Sequence, residues 1–279
     1  MLPKGFVLSR DQERGDVIYV AAYLIAILHS GRVYFQLITV LLCYMGQPDA
    51  DATALELLER ATREFVPTVQ ASSLGPEDMV ITDIIARHCL PIEVFMIDTG
   101  RLHEETLELA ETVRRRYPDL HFTSTFPRHE ALETYVGTNG ANAFYRSLEL
   151  RRECCNIRKV EPLRRALSGK AAWITGQRRE QSSTRHHIEE LEWDEGHGLQ
   201  KVNPLAPWDE DRVWSYLRRY KVPVNPLHDQ GYPSIGCAPC TTKVKPGEDP
   251  RAGRWRNIEK EECGIHFVDG KMVRTGAKT

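Results

Sequence analysis

The fold is decided by residues 67–103, PTVQASSLGPEDMVITDIIARHCLPIEVFMIDTGRLH. Two short apolar segments, PTVQAS and IEVFMI, are predicted strands, and EDMVITDIIARHC between them is a predicted helix. Both strands are too apolar to have a face in water, which is typical of a parallel sheet covered by helices on each side. The segment therefore predicts a strand–helix–strand unit.

The same alternation continues on both sides of this unit. DATALELLERATREF, residues 51–65, predicts an amphipathic helix with Thr53 and Glu56 as a capping box. The later segments are two strands, LHFTSTF and AAWIT, and three helices, HEETLELAETVRRRY, VEPLRRALSG with Gly169 at its end, and EDRVWSYLRRY. We expect an α/β fold with a parallel sheet and helices on both faces.

Charge and composition exclude some classes of function. Of the 279 residues 41% are hydrophobic and 27% are charged, as in ordinary globular proteins, and the net charge is -2. A protein that coats nucleic acid needs a large basic excess, so we expect no nucleic-acid partner. An anionic ligand would instead bind at a local site.

The N-terminal region differs from the rest of the chain. Residues 16–45 contain two apolar runs separated by His29–Arg32, and neither run alone spans a bilayer. A helix through both would place Arg32 near the membrane centre at a cost of about 2.5–3.5 kcal/mol. A buried hairpin or an added segment is the alternative, and we expect residues 1–50 to be an atypical apolar extension of a non-membrane protein.

The seven cysteines are an odd number in a chain too long to need a disulfide scaffold. Reduced thiols and a cytoplasmic location are the expectation. Cys43 and Cys89 are interpreted as small hydrophobic residues, because Cys43 lies in an apolar run and Cys89 on the apolar side of a predicted helix.

Polar loops follow three of the predicted strands. SSLGPEDM, residues 72–79, contains Ser72, Ser73 and Gly75, and its backbone N–H groups could surround an anion at a helix N-terminus. The loop lacks a Walker motif, and an ordinary turn explains it equally well. IDTGRLH carries Asp98–Arg101, and TGQRREQS carries Arg178 and Arg179. Strand ends of a parallel sheet share one crevice, so together they predict a nucleotide-sized anionic site.

Four cysteines form a candidate ligand set: Cys154 and Cys155 in RRECCNIRK, and Cys237 and Cys240 in CAPC. Structural zinc usually takes two CxxC pairs, whereas one pair here is adjacent. Adjacent cysteines could each take one corner of an iron–sulfur cluster if the helix opens there. The spacing favours a cluster, with zinc or unrelated buried thiols as alternatives.

Cys263 lies in EKEECGIHF, three residues before His266 and downstream of Arg251 and Arg254. Nearby positive charge favours a thiolate, which is the nucleophilic form of cysteine. Two acidic neighbours oppose ionisation, so a cysteine without a role is the alternative.

Six motifs occur in order: SSLGPED, DTGRLH, CCNIRKVEPL, TGQRREQS, GYPSIGCAPC and ECGIH. With them the chain resembles the assimilatory adenylyl-sulfate reductases of the phosphoadenylyl-sulfate reductase family, over about residues 52–267; the first 50 residues do not resemble that family. The resemblance implies an adenine nucleotide α-hydrolase-like (PP-loop) fold. It also implies thioredoxin-dependent reduction of adenosine 5'-phosphosulfate to sulfite and AMP.

The resemblance assigns roles to individual residues. Cys263 would be the nucleophile that forms a Cys-S-sulfonate, and Cys154, Cys155, Cys237 and Cys240 would hold a 4Fe-4S cluster. The matched substrate-binding residues are Ser73, Gly75, Asp78, Lys159, Arg251, Arg254 and His266, and Arg178 and Arg179 would add contacts to the nucleotide. Family members without the four cysteines typically use the 3'-phosphorylated nucleotide, so the presence of the cysteines favours the unphosphorylated one.

Three alternatives remain open from the sequence. They are a reductase of 3'-phosphoadenosine 5'-phosphosulfate, a PP-loop iron–sulfur enzyme that thiolates tRNA, and a zinc-stapled binding module without catalysis. The expected organisation is the extension at 1–50, a PP-loop reductase domain with the iron–sulfur site at 51–240, and a C-terminal segment with the nucleophilic cysteine at 241–279. An oligomer is compatible with the sequence.

Overall fold

The computed structural model describes residues 51–181, 187–254 and 256, and the backbone of two short strands, Phe267–Val268 and Lys271–Met272. The expectations for residues 1–50, Cys263 and His266 lie outside these residues. Apart from 87–89, the described residues belong to one compact unit. Within them, no helix combines the length and the apolar character that crossing a membrane requires.

Strands and helices alternate along the chain as the sequence predicts. The helices are α1 (Ala52–Glu64), α2 (Pro76–Arg87), α3 (Glu104–Arg116), α4 (His129–Asn139), α5 (Leu148–Cys155), α6 (Glu161–Leu167) and α7 (Glu210–Arg219). The strands of the main sheet are β1 (Thr68–Ser72), β2 (Glu93–Ile97), β3 (Phe122–Thr125), β4 (Ala172–Ile174), β5 (Leu191–Asp194) and β6 (Leu199–Val202).

The strand order is β3-β2-β1-β4-β6-β5. All neighbouring pairs are parallel except β5 with β6, and Val69 of β1 aligns with Glu93 of β2 and Trp173 of β4. The chain moves from β1 outward to β3 and then returns to place β4 on the other side of β1. The carboxyl ends of β1 and β4 therefore border a topological switch point, where open α/β sheets bind ligands.

Helices cover both faces of the sheet. Val94 and Met96 of β2 point into a large core that also contains residues of α1, α2, α3 and α7. Phe95, between them in sequence, packs in a smaller core with Trp173 and with Leu163 of α6. This alternation on a buried strand confirms the predicted α/β fold with a parallel sheet and helices on both faces.

Some local expectations are wrong. The Thr53 capping box does not form, because α1 begins at Ala52 and the N-cap residue Asp51 turns its carboxylate toward Arg212, at 3.6 Å. Cys89 is not a small core residue; it lies exposed beyond the end of α2 with φ 50, and it is disulfide-bonded rather than reduced. The β5–β6 hairpin, the antiparallel part of the sheet, was not predicted.

Candidate active site

The loop after β1 is organised by a carboxylate from α2. Asp78 Oδ2 accepts hydrogen bonds from Ser73 N at 2.6 Å and from Ser73 Oγ at 2.7 Å. Leu74 takes a left-handed conformation, φ 60, to make the turn. Burial raises the pKa of the Asp78 carboxyl to about 6, although its hydrogen bonds with Ser73 oppose this. The Asp78 carboxylate therefore fixes the conformation of the loop at Ser73.

The loop after β4 packs directly on this structure. A Cβ atom added at Gly176 would lie 2.5 Å from Asp78 Oδ1 and 2.9 Å from Glu77 Cβ, so only glycine permits this approach. The Gly176 N–H also donates to the Asp78 carboxylate. Arg178 is buried, donates to Glu77 Oε1 at 2.8 Å and donates to Trp208 O at 3.2 Å. Its guanidinium therefore joins the two loops.

The adjacent cysteines lie where a helix changes its winding. Ser147 Oγ caps α5 by accepting from Leu150 N at 3.2 Å, and the helix ends at Cys154 and Cys155. A π-helical segment, Asn156–Val160, follows and continues into α6. π-turns widen a helix locally and are frequent at functional sites. The winding therefore changes directly after the cysteine pair, and cluster binding by adjacent cysteines stays a prediction.

The second cysteine pair flanks a short turn. Ala238–Cys240 form a 3₁₀ turn in which Cys240 N donates to Cys237 O at 2.9 Å. Thr241 Oγ1 also donates to Cys237 O, at 2.9 Å, and accepts from Gly236 N at 3.0 Å. These bonds fix the CAPC segment.

Both cysteine segments meet at the end of β2. Thr99 Oγ1 lies 3.3 Å from Cys237 Sγ, and Thr99 O accepts a hydrogen bond from Arg158 Nη1. Arg158 also forms a side-chain hydrogen bond with Cys154. In addition, Ala238 N donates to Arg101 O at 2.9 Å. Thr99 therefore connects the helical cysteine pair to the CAPC turn.

The four cysteines line one cavity that is partly open to solvent. Among the described residues, no group of three or more His, Cys, Asp or Glu side chains is arranged to hold a single metal ion. The thiols instead surround a shared space. Its other lining residues are Phe144, Pro239 and five cations, Arg101, Arg151, Arg158, Lys159 and Arg254.

Burial and positive charge act in opposite directions on these thiols. Burial raises the pKa of Cys154, while the guanidinium of Arg158 lowers it. Burial likewise raises the pKa of Cys240, and the charges of Arg151 and Lys159 oppose this. A bound group that requires thiolates would therefore find compensating charge around it.

The predicted substrate-binding residues fall into three groups. Lys159 and Arg254 line the cysteine cavity, and Arg254 Nη1 is fixed by Ser234 Oγ at 3.1 Å and Ile235 O at 3.0 Å. Ser73, Gly75 and Asp78 belong to the switch-point loop. Arg251 does not line the cavity; its backbone N–H donates to Asp249 Oδ1 at 2.7 Å.

Other residues have roles that the sequence did not indicate. Arg178 donates to Glu77 Oε1, and Arg179 Nε donates to Ile188 O at 2.9 Å; contact of either side chain with a nucleotide stays a prediction. Arg101 lines the cysteine cavity, although its position after β2 placed it with the nucleotide loops. Arg151 was missed. Arg151 precedes Cys154 by three residues and Cys155 by four on one helix, and this spacing could have indicated that its side chain lies beside the two thiols.

The sheet is open and parallel except for β5, it carries polar loops at its switch point, and the structure also has a basic cavity lined by thiols; these features define a ligand-binding α/β protein. A model of the phosphoadenosine phosphosulfate reductase domain matches residues 67–243. The chain belongs to this family.

Similar proteins agree with this assignment. The chain is 52% identical over 221 residues to the adenosine 5'-phosphosulfate reductase of Allochromatium vinosum, covering 78% of the chain and 86% of that protein. It is 54% identical over 200 residues to the enzyme of the same name from Burkholderia cepacia, covering 71% and 80%. The crystal structure of phosphoadenylyl-sulfate reductase from Candida auris, a phosphate complex, superposes with a TM-score of 0.60 at 25% identity, covering 86% of this chain and 100% of that one.

Proposed function

We propose that this chain reduces adenosine 5'-phosphosulfate to sulfite and AMP in sulfate assimilation, with thioredoxin as the electron donor. The observation that carries the proposal is the single cavity in which four thiols and five cations meet. The high identity to reductases of this sulfonucleotide, across most of both chains, supports it. We place the reaction in the cytoplasm, where the thiols of Cys154, Cys155, Cys237 and Cys240 would stay reduced, although Cys89 is disulfide-bonded in this structure.

Cys154, Cys155, Cys237 and Cys240 would hold a 4Fe-4S cluster. They have the right donor chemistry, are free of disulfides, and line a common space beside a widened helix. When bound, the cluster would cross-link the two cysteine segments and tune the local field. Arg158, which is hydrogen-bonded to Cys154 and Thr99, would hold a positive charge in a fixed position beside the cluster.

The substrate would extend from the switch point to the cation-lined cavity. Ser73 and Gly75 would contact the nucleoside end, with Asp78 holding their loop. Lys159 and Arg254 would bind the phosphosulfate, and Arg251 and His266 would complete its shell. Such cations neutralise the anionic oxygens that otherwise repel an attacking thiolate.

Division into a reductase domain at 51–240 and a C-terminal segment at 241–279 remains part of the proposal.

The chemistry would proceed by two thiolate displacements. The thiolate of Cys263 attacks the sulfur of the sulfate group, the bond from sulfur to the bridging oxygen breaks, and AMP leaves with the electron pair. A thioredoxin thiolate then attacks Cys263 Sγ and expels sulfite. The second thioredoxin thiolate then attacks the mixed disulfide and releases the Cys263 thiolate. Thioredoxin leaves as a disulfide, having supplied the two electrons that reduce the sulfate sulfur to sulfite.

Sulfite formation with thioredoxin tests the activity directly. We expect turnover of adenosine 5'-phosphosulfate in preference to its 3'-phosphorylated form, loss of turnover in Cys263→Ser, and retention of turnover in the matched variant Cys43→Ser. Without thioredoxin, mass spectrometry should find the sulfonate on the peptide containing Cys263. Sulfite production by Cys263→Ser would exclude this mechanism.

Metal analysis tests the cofactor. Protein purified without oxygen should contain iron and acid-labile sulfide in equal amounts, and substitution of Cys155 by serine should lower both. Stoichiometric zinc without sulfide would show that the cavity holds a different metal.

A further inference from the structure

A chain of buried hydrogen bonds leads from the β5–β6 hairpin toward the switch point. Asn203 follows β6 and is 0% exposed. Its amide nitrogen donates to Glu189 O at 2.8 Å and to Glu192 Oε1 at 3.1 Å. Lys201 Nζ lies 2.7 Å from the same carboxylate oxygen. The hairpin therefore fixes the orientation of the Asn203 side chain.

The other end of this side chain contacts the loop after β4. Thr175 Oγ1 donates to Asn203 Oδ1 at 2.6 Å and accepts from Gln177 N at 3.3 Å. A hydroxyl has one proton and two lone pairs, so both bonds can form at once. Together they fix the turn Thr175–Gln177.

The Thr175–Gln177 turn also contacts the loop after β1. Gly176, at its centre, donates to the carboxylate of Asp78, which accepts both hydrogen bonds from Ser73. The contact is close, since an added Cβ at Gly176 would lie 2.5 Å from Asp78 Oδ1. A displacement of the turn would therefore move the carboxylate that shapes the other loop.

We propose that Asn203 and Thr175 are positioning residues for nucleotide binding, acting through the Thr175–Gln177 turn on both switch-point loops. The inference rests on the proposed function for the identity of the nucleotide. Neither residue lies on the cysteine cavity. Their loss should weaken nucleotide binding and leave the displacement at Cys263 unchanged.

Substitutions at Thr175 test the inference in the full-length holoenzyme. Thr175→Val keeps the shape and removes both hydroxyl bonds, whereas Thr175→Ser keeps the hydroxyl. Two neutral hydrogen bonds together correspond to roughly a tenfold change in affinity. We expect Thr175→Val to raise the Kd for AMP and the KM for adenosine 5'-phosphosulfate about tenfold, with kcat within about twofold of wild type. Thr175→Ser should restore both constants.

Thr68→Val is the matched control. It makes the same change in a buried threonine at the opposite end of neighbouring strand β1, where Thr68 Oγ1 donates to Ala61 O at 3.1 Å. This variant should lower the unfolding midpoint while its Kd for AMP stays at the wild-type value. If Thr68→Val raised the Kd for AMP as much as Thr175→Val does, the effect of Thr175→Val would be explained by general destabilisation.

A double-mutant cycle with Asn203→Leu tests whether the two residues act as one path. Coupled residues should give a double variant with a Kd for AMP close to that of either single variant. Additive effects on the Kd for AMP would overturn the inference, and so would a wild-type Kd in Thr175→Val. If Asn203→Leu fails to fold, the comparison of Thr175→Val with Thr175→Ser still tests the inference. Absence of sulfonucleotide turnover by wild type would count against the proposed function alone, because AMP affinity is measured separately.

Discussion

At the residue scale, the Asp78 carboxylate takes hydrogen-bond donors that a bound phosphate would otherwise use. Ser73 gives it both the backbone N–H and the hydroxyl, and Gly176 gives a third N–H. The helix N-terminus is also partly neutralised, because Glu77 and Asp78 occupy its first turn. These three donors are therefore already engaged within the protein.

Asp78 should make stability depend on pH. Its carboxyl has a folded pKa of about 6 against a usual value of 3.8, so the folded chain binds the proton more tightly. Its contribution to stability is complete below about pH 4 and is lost as the pH rises through about 6. Relative to Asp78→Asn, wild type should lose on the order of 3 kcal/mol between pH 4 and 7.

Urea unfolding of both proteins across this pH range measures the effect. Asp119→Asn, at an exposed site, serves as the control and should follow wild type at every pH. Parallel pH curves for wild type and Asp78→Asn would contradict the prediction.

Gly176→Ala should be destabilising. The new methyl group would overlap Asp78 Oδ1 and Glu77 Cβ, and Glu77 Cβ cannot move without its helix. We expect a loss of about 1–3 kcal/mol in unfolding free energy and a weaker affinity for AMP. The matched change Gly137→Ala, in α4 with nothing within 4 Å of the new atom, should stabilise the chain by about 0.5–1 kcal/mol. Equal effects of the two substitutions in denaturant titrations would refute this account.

At the scale of elements, one helical run presents the cysteine pair and the cations that surround it. Arg151 precedes the two cysteines by one turn, and Arg158 and Lys159 lie in the π-helical segment after them. Positions three to five apart lie close together on a helix, so these side chains share the cavity. The change of winding at Asn156–Val160 is therefore part of the site.

The N-cap of this run should matter for the cavity. Ser147→Ala removes the side-chain acceptor for Leu150 N and should lower the unfolding free energy by about 1 kcal/mol. Ser147→Asp keeps an acceptor and should stay close to wild type. The two variants are compared by urea unfolding and by iron content after reconstitution, and a lower iron content in Ser147→Asp than in Ser147→Ala would contradict this role.

At the scale of the whole molecule, overall charge and local charge differ in sign. The chain has a net charge of -2, yet five cations line the cysteine cavity. Clustered charge attracts an anionic ligand even when the protein as a whole does not.

Salt should therefore weaken substrate binding. Raising the KCl concentration from roughly 20 to 300 mM shortens the screening length from about 20 Å to below 10 Å. We expect a several-fold rise in the KM for adenosine 5'-phosphosulfate, and a smaller rise in Lys159→Gln. Binding of uncharged adenosine is the control and should not change. A KM independent of salt would contradict an electrostatic role for the cavity.

Much of the fold could be predicted because its patterns are local. Residues 67–103 contain both strands and the helix close to their observed bounds, since burial on both faces gives β2 a continuous apolar sequence. The β5–β6 hairpin was missed because LEWD and LQKV mix charged and apolar residues. Lys201 and Asp194 are buried there as partners of other side chains, a compensation that no local pattern reveals.

The sequence by itself determined the strand–helix rhythm, the two cysteine pairs and the order of the six motifs, because each depends on neighbouring residues. Tertiary structure alone decided which partner each polar group takes. Arg178 pairs with Glu77, which is 101 positions away, and Thr99 meets Cys237 across 138 positions. Such contacts depend on where the sheet brings distant strand ends together, and the spacing of residues along the chain does not carry that information.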